Sequence, residues 1–440
     1  MTRSDLRRSG GCRAGEQVGR GLALGALGLL LVTPLAHAQE TLARRVAAVA
    51  GDAEVRFASR PDVCGDGAQM ISFRSFTMVR EMTIAGHGDW RERCMPGPVR
   101  VRLSVADGAV TRVHTYIGAG GGRSSPVTDL GVVGTRDAVE YLLGLARGGS
   151  VGSRVAADAI LPAALADSTT ISPALVALAR DRGRPMEVRK RALFWAGEVG
   201  EPGVLEPVRA IARDSTDERT MREHAVFVLS QLRDDGGVPA LIDIVRANRD
   251  PWLAKKATFW LGQSDAPQAH ETLRTLVTDP AVSEEVKGEA VFVLGQHEDD
   301  TEDQAFLRDH FDALPSDRLR ERVLMGVGQN GGAEGASWLF GVARDDARSL
   351  RVRKQALFWA GQGDTPTSGF VDLYRQLHDR ELQKQVIFVL SQRADSSATD
   401  ALMDIARSDG DHELRKQAMF WLGQKDDPRV AKFLASILEH

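Results

Sequence analysis

Ala192-Leu193-Phe194-Trp195-Ala196-Gly197 decides the fold, because this stretch comes back all along the chain. Close copies begin at Ala225 (AVFVLS), Ala257 (ATFWLG), Ala290 (AVFVLG), Val323 (VLMGVG), Ala356 (ALFWAG), Val386 (VIFVLS) and Ala418 (AMFWLG), with starts 33, 32, 33, 33, 33, 30 and 32 residues apart. A weaker copy starts at Ala159 (AILPAA). A fixed period of this length marks a stacked repeat architecture. Between the copies lie second apolar segments with helical spacing, such as Val238–Arg246, Glu271–Val277 and Thr399–Arg407. Each period therefore holds two helices and a turn. One such hairpin cannot bury its own apolar faces, so the copies must stack on their neighbours. About eight or nine repeats are expected, with Arg429–Leu438 as a lone first helix covering the last of them.

Val188-Arg189-Lys190 ahead of Ala192, and Gly197-Glu198 followed by Gly200, resemble HEAT repeats of the short, phycobilisome-lyase-like kind. The resemblance spans roughly residues 137 to 440. It implies a right-handed α-solenoid whose second helices line a concave surface. It specifies a fold and leaves function to the residues, because arrays of this kind serve many partners.

On a wheel at 100° per residue, Ala192, Trp195, Ala196 and Val199 share the core face, while Phe194 falls at about 200° from Ala192, nearly opposite. That position is Phe in seven copies: Phe194, Phe227, Phe259, Phe292, Phe358, Phe388 and Phe420, with Met325 in the eighth. Four residues later stand Glu198 and then Gln231, Gln263, Gln296, Gln329, Gln362, Gln392 and Gln424. Four residues earlier stand Lys190, Lys255, Lys354, Lys384 and Lys416, with Glu223, Gly288 and Glu321 breaking the row. Residues four apart share a helical face. Stacking should turn these positions into parallel Lys, Phe and Gln ladders. Either each Phe packs sideways on the next repeat, filling a gap left by Gly197 and its equivalents, or the row forms an apolar strip of the kind that marks a binding surface. The Gln side chains beside it carry both a donor and an acceptor for an extended peptide. Trp195, Trp260, Trp359 and Trp421 alternate with Val228, Val293 and Val389, which suggests a duplicated two-repeat unit. Gly326 interrupts that alternation, and Gly326, Gly328, Gly331 and Gly332 should weaken the helix, so a bend or soft point is expected there.

The front of the chain reads differently. Arg3, Arg7, Arg8, Arg13 and Arg20 precede an apolar run, Gly21–Ala36, and then Ala36-His37-Ala38. A basic flank, a short apolar stretch and an A-x-A site are the order of an export signal over residues 1–38. The run is shorter than the ~20 residues of a spanning helix, so no stable membrane span is expected after cleavage, and the destination is periplasmic or secreted. Cys64 and Cys94 would then be the remaining cysteines and should form one disulfide. Residues 39–133 carry strand signals: Met70–Val79, Val99–Val105, and Val110–Ile117 after an Asp107-Gly108 turn. A small β or α+β module is expected there, followed at 134–440 by the solenoid, whose first helix (Ala138–Arg147) would be capped by Thr135 or Asp137.

The formal net charge of −4 gives no electrostatic reason to expect nucleic acid. No G-x-S-x-G elbow, P-loop, H-E-x-x-H or dinucleotide fingerprint appears, and Gly118–Gly122 reads as a loop. His87, Asp89 and Glu92 beside Trp90 read as a solvated loop. The remaining histidines (His224, His270, His297, His310, His378, His412) fall at unrelated repeat positions, so no metal site or cofactor is expected. These observations lead to an exported, non-enzymatic scaffold that binds a protein or peptide in its groove, or alternatively to an accessory subunit of a cell-envelope enzyme or signalling complex.

Overall fold

The computed structural model describes residues 41–68, 70–73, 76–79, 94–118, 126–149, 151–247, 249–297, 301–363 and 365–438. The expected export signal, the His87–Glu92 loop and most of the Gly118–Ser125 segment lie outside them. No helix among the described residues is long and apolar enough to cross a membrane.

The N-terminal region after a short helix, Leu42–Ala47, is built of two four-stranded sheets. One has the order β7-β6-β1-β8: β1 (Gly51–Phe57) pairs antiparallel with β6 (Val99–Ala106) and parallel with β8 (Val127–Val132), and β6 pairs antiparallel with β7 (Ala109–Ile117). Alternation buries Ala53, Val55 and Phe57 on β1 opposite Val99, Val101 and Leu103 on β6. The β6–β7 turn is Asp107-Gly108, and both residues have positive φ (51° and 73°), the backbone that a two-residue hairpin of matching twist demands. The second sheet has the order β4-β3-β2-β5, with β2 at Val63–Gly65 and β5 at Met95–Pro96. The single strand expected over Met70–Val79 is in fact two, β3 (Met70–Phe73) and β4 (Phe76–Val79), folded antiparallel on each other. Cys64 and Cys94 are joined, with Cα atoms 5.1 Å apart, which ties β2 to the start of β5.

From Thr135 the chain is helical. The first helix, Thr135–Arg147, begins three residues earlier than expected and takes Gly134 as its N-cap, with no side-chain cap. The weak copy near Ala159 is two short pieces, Ser153–Asp158 and Ile160–Ala164, with Pro162 inside the second. Regular hairpins follow, and their second helices are Met186–Val199, Arg219–Ser230, Pro251–Leu261, Glu284–Gly295, Asp317–Asn330, Leu350–Gln362, Arg380–Gln392 and His412–Leu422. Most start at a residue suited to capping: Asp250, Ser283, Ser316, Ser349, Asp379 and Asp411 each accept a bond from a backbone N–H of the first turn. The final helix, Pro428–Leu438, buries Val430 and Phe433.

The hairpins are stitched by a buried cation one position before the Lys row. Arg189 Nε donates to the Ala179 carbonyl (2.9 Å), Arg353 Nε to Ala343 (2.9 Å), Arg222 Nε to Ala212 (3.3 Å) and Lys287 Nζ to Val277 (3.1 Å). Each satisfies an orphan carbonyl at the end of the preceding first helix. Arg189, only 1% exposed, also reaches Asp217 of the next hairpin at 2.5 Å, and Arg222 reaches Asp250 at 2.8 Å. Successive second helices approach closely because glycine faces valine across the gap. A Cβ on Gly197 would sit 2.5 Å from Val228 Cγ1, one on Gly262 2.4 Å from Val293 Cβ, and one on Gly361 2.5 Å from Val389 Cγ1. The gap at Gly197 is thus filled by the next repeat's Val, not by its Phe. Where Val is replaced by Gly326, its backbone meets Gly295 directly, and helix Asp317–Asn330 runs on without a break.

The β region and the solenoid share one apolar core. Arg60 Nε donates to the Ala164 carbonyl (2.9 Å) and pairs with Glu201 (3.2 Å), and the Phe73 and Trp195 ring centroids lie 6.2 Å apart. Glu201 also accepts the Ile171 and Ser172 N–H groups, which seats the start of helix Ser172–Arg180.

Candidate functional site: the outward face of the second helices

The 3.6-residue period carries the Phe, Gln and Lys positions away from the Ala-Leu-Trp core face, and the three rows differ in exposure. Gln231, Gln263, Gln296, Gln329, Gln362, Gln392 and Gln424 are all exposed. Gln296 Nε2 donates to Gln329 Oε1 at 3.1 Å, so neighbours in this row can touch. Glu198, the first member by sequence, is instead buried. Phe194, Phe227, Phe259, Phe292, Phe358 and Phe388 are half-buried, as is Met325, and Phe420 is 58% exposed.

Three of the Phe rings meet aromatic rings of the neighbouring repeat. Phe194 and Phe227 lie parallel with centroids 6.4 Å apart, Phe227 meets Trp260 of the next repeat at 5.1 Å, and Phe388 meets Trp421 at 5.4 Å. Within a helix, Phe259, Phe358 and Phe420 each stand edge-on to the following Trp at 5.1 Å. The Phe rings therefore pack laterally without filling the glycine gaps, and they remain part-exposed on the face that carries the Gln row.

The Lys row is partly neutralised by acids. Lys190, Lys255, Lys354 and Lys384 are half-buried and Lys416 is exposed. Lys255 lies 3.6 Å from Glu289, Lys354 3.5 Å and Lys384 2.9 Å from Glu381, Lys256 2.6 Å from Glu223, and Arg351 2.8 Å from Glu321. Three of the five Lys in the row are thus paired with acids, while the acids that break the row, Glu223 and Glu321, pair with Lys256 and Arg351 beside it. Such exposed pairs are each worth about 0–1 kcal/mol, so their main effect is to cancel charge.

At the N-terminal end the face deepens into a pocket of about 530 Å³ that includes Met186, Lys190, Phe194, Trp195 and His224 in its lining. His224 Nε2 lies 2.8 Å from the Lys190 carbonyl, and its ring is 5.7 Å from Phe227. Burial pushes the His224 imidazole down to about 4, with the Lys190 charge adding to the effect and the bond to its carbonyl opposing it.

A second constellation lies off this face. His270 on helix Pro267–Thr278, His297 after helix Glu284–Gly295, and Asp303 on helix Thr301–Asp309 converge, with one donor atom from each within 4.8 Å of the others. Sequence spacing concealed it, because the two histidines come from different parts of neighbouring repeats.

A family model described as HEAT repeats matches residues 172–259 and 238–327. Deoxyhypusine hydroxylase of Bos taurus is 32% identical over 104 residues, which is 23% of this chain and 33% of that protein. The chain thus spans about a third of the length of the curated relatives it matches. Among solved structures, human deoxyhypusine hydroxylase in complex with glycerol aligns at 20% identity over 57% of this chain and 94% of that one, with a TM-score of 0.26. The complex of CpcE and CpcF of phycocyanin lyase from Nostoc aligns at 16% identity over 61% and 95%, with a TM-score of 0.22.

The relatives correct one expectation. Exclusion of an enzyme rested on the lack of contiguous catalytic motifs, yet the curated proteins that match are enzymes by name. Contiguous motifs are the wrong test for a solenoid, where side chains some thirty residues apart meet across repeats, as His270 and Asp303 do.

Proposed function

Since the chain is a HEAT-repeat protein, we propose that the outward face of its second helices binds an extended polypeptide segment of a partner. The observation that carries this reading is the continuous file of exposed Gln side chains beside the outer edges of the Phe row, repeated from hairpin to hairpin. Gln amides offer paired donors and acceptors to a peptide backbone at each repeat, and the Phe edges offer apolar contact. The acid partners of Lys255, Lys354 and Lys384 favour a segment without strong net charge over that part of the face.

Export to an oxidising compartment belongs to the same proposal. It is supported by the basic flank, apolar run and A-x-A order at the front of the sequence and by the Cys64–Cys94 bridge. The partner would then be an envelope or secreted protein, including an enzyme or signalling complex that this chain serves as a subunit.

The binding test uses Gln263→Arg, Gln296→Arg and Gln392→Arg together, because these exposed side chains can be changed without touching the core. A variant that keeps its helical content and loses the partner captured by the wild-type chain supports the reading. Retention of every partner at wild-type yield sinks it.

The sequence match to deoxyhypusine hydroxylases favours a second proposal, a hydroxylase activity held within the repeats. Incubation of the purified chain with a deoxyhypusine-containing protein, iron(II), dioxygen and a reductant, read as a one-oxygen mass increase, tests it. No increase under conditions where an authentic hydroxylase works rejects that activity.

A further inference from the structure

We propose that His270, His297 and Asp303 form a binding site for one divalent transition-metal ion of the zinc class. Asp303 Oδ2 lies 3.0 Å from His297 Nδ1 and 3.4 Å from His270 Nδ1. Metal–nitrogen and metal–oxygen bonds of about 2.0–2.1 Å in a tetrahedral site place neighbouring ligand atoms about 3.3 Å apart. Both carboxylate-to-imidazole separations therefore stand close to the one that a shared ion sets, and one donor atom from each of the three residues lies within 4.8 Å of the others.

The hydrogen bonding around His297 points the same way. Its Nδ1 faces the Asp303 carboxylate, and its Nε2 lies 3.1 Å from the Gly262 carbonyl. Both partners are acceptors, but a neutral imidazole has a single N–H. With a metal on Nδ1, the N–H sits on Nε2 and donates to Gly262, so a neutral ring satisfies both sides. A metal-bound histidine that donates its other N–H to a backbone carbonyl is the usual outer-shell arrangement. Asp303 is held likewise: Arg274 Nε donates to Oδ1 at 2.7 Å, which keeps the carboxylate ionised and aims Oδ2 at the histidines.

Access is also in place. Asp303 is fully buried, while the side chains of His270 and His297 are 24% and 21% exposed. The ion would enter on the histidine side, next to a shallow pocket that includes Glu271, Phe306 and His310 in its lining. Three protein ligands would leave a fourth position for water or another small donor. Two imidazoles and one carboxylate suit zinc, iron(II), cobalt, nickel or copper rather than magnesium or calcium. This inference does not depend on the polypeptide-binding face, which lies on the second helices.

The test uses the untagged chain, stripped with a chelator and titrated with Zn²⁺ in competition with a chromophoric chelator. One ion per chain is expected, with at least a tenfold loss of affinity in His270→Ala and in His297→Ala, no change in His378→Ala, and no competition by Mg²⁺. Cobalt in place of zinc should give a visible absorption band that His270→Ala removes. His270 is partly exposed, so its variant carries the test even if His297→Ala fails to fold. Absence of stoichiometric binding, or unchanged affinity in a folded His270→Ala, overturns the proposal.

Discussion

Substituting Gly262 by Ala should destabilise the solenoid, although alanine is the better helix former. A Cβ built on Gly262 lies 2.4, 2.8 and 2.9 Å from Cβ, Cγ2 and Cγ1 of Val293. Val293 is β-branched and held in a helix, so it has essentially one rotamer and cannot turn aside. The helices Pro251–Leu261 and Glu284–Gly295 must then move apart, and overpacking of this kind costs typically 1–3 kcal/mol. The gain in backbone entropy from Gly to Ala is only about 0.5–1 kcal/mol. The net effect should be a loss of up to about 2.5 kcal/mol. Gly341 provides the control: it is inside a helix, exposed, and a Cβ there meets nothing within 4 Å. Gly341→Ala should stabilise by about 0.5–1 kcal/mol. Repeat arrays can open piecewise, so hydrogen exchange of the two helices is the assay, with thermal melting as a check. Exchange should accelerate at 251–261 and 284–295 in Gly262→Ala, and Gly262→Ala/Val293→Ala should recover part of the loss. If Gly262→Ala stabilises as much as Gly341→Ala, the glycine–valine contact is not what sets the repeat spacing.

Arg189→Met removes the bond to the Ala179 carbonyl and strands the nearly buried Asp217; breaking one side of such a pair costs about 3–5 kcal/mol. Arg353→Met should cost less, because its partner Asp346 is 89% exposed, and comparison of melting temperatures checks the order. His224 holds its proton less tightly in the folded chain (about 4) than in the unfolded one (about 6.5), so the unfolded state binds the extra proton between those values. Its contribution should be intact above about pH 6.5 and lost as pH falls towards 4, by up to about 3 kcal/mol, and His224→Leu should flatten that part of a melting-temperature profile. Reducing Cys64–Cys94, which closes a loop with a sequence separation of 30, should cost about 3–4 kcal/mol in the β region, read as faster exchange of β2 and β3 while the solenoid helices are unaffected.

The repeat was legible because its signal is local: an apolar word at a helical period needs only near neighbours to be read. The Asp107-Gly108 hairpin was legible for the same reason, since turn chemistry is written in two residues. What the sequence concealed depends on contacts between repeats. Glu289 and Glu381 pair with Lys255 and Lys354 only once neighbouring helices stack. Gly197 reads as a gap until Val228 is seen to occupy it. Met70–Val79 reads as one strand because its two halves carry the same β-forming residues, and only the fold-back distinguishes them. His270, His297 and Asp303 look unrelated because their repeat positions differ, yet the end of one hairpin and the start of the next bring them together.

Site-specific photo-crosslinking in the native host tests the polypeptide-binding face most directly. A photoreactive residue replaces Gln263, Gln296 or Gln392 on the second helices, or Arg246, Glu271 or Asp404 on the first helices. The expected result is crosslinking of one and the same polypeptide from all three Gln positions and none from the first-helix positions. Crosslinking that is equal from both sets, or confined to the first helices, would contradict it.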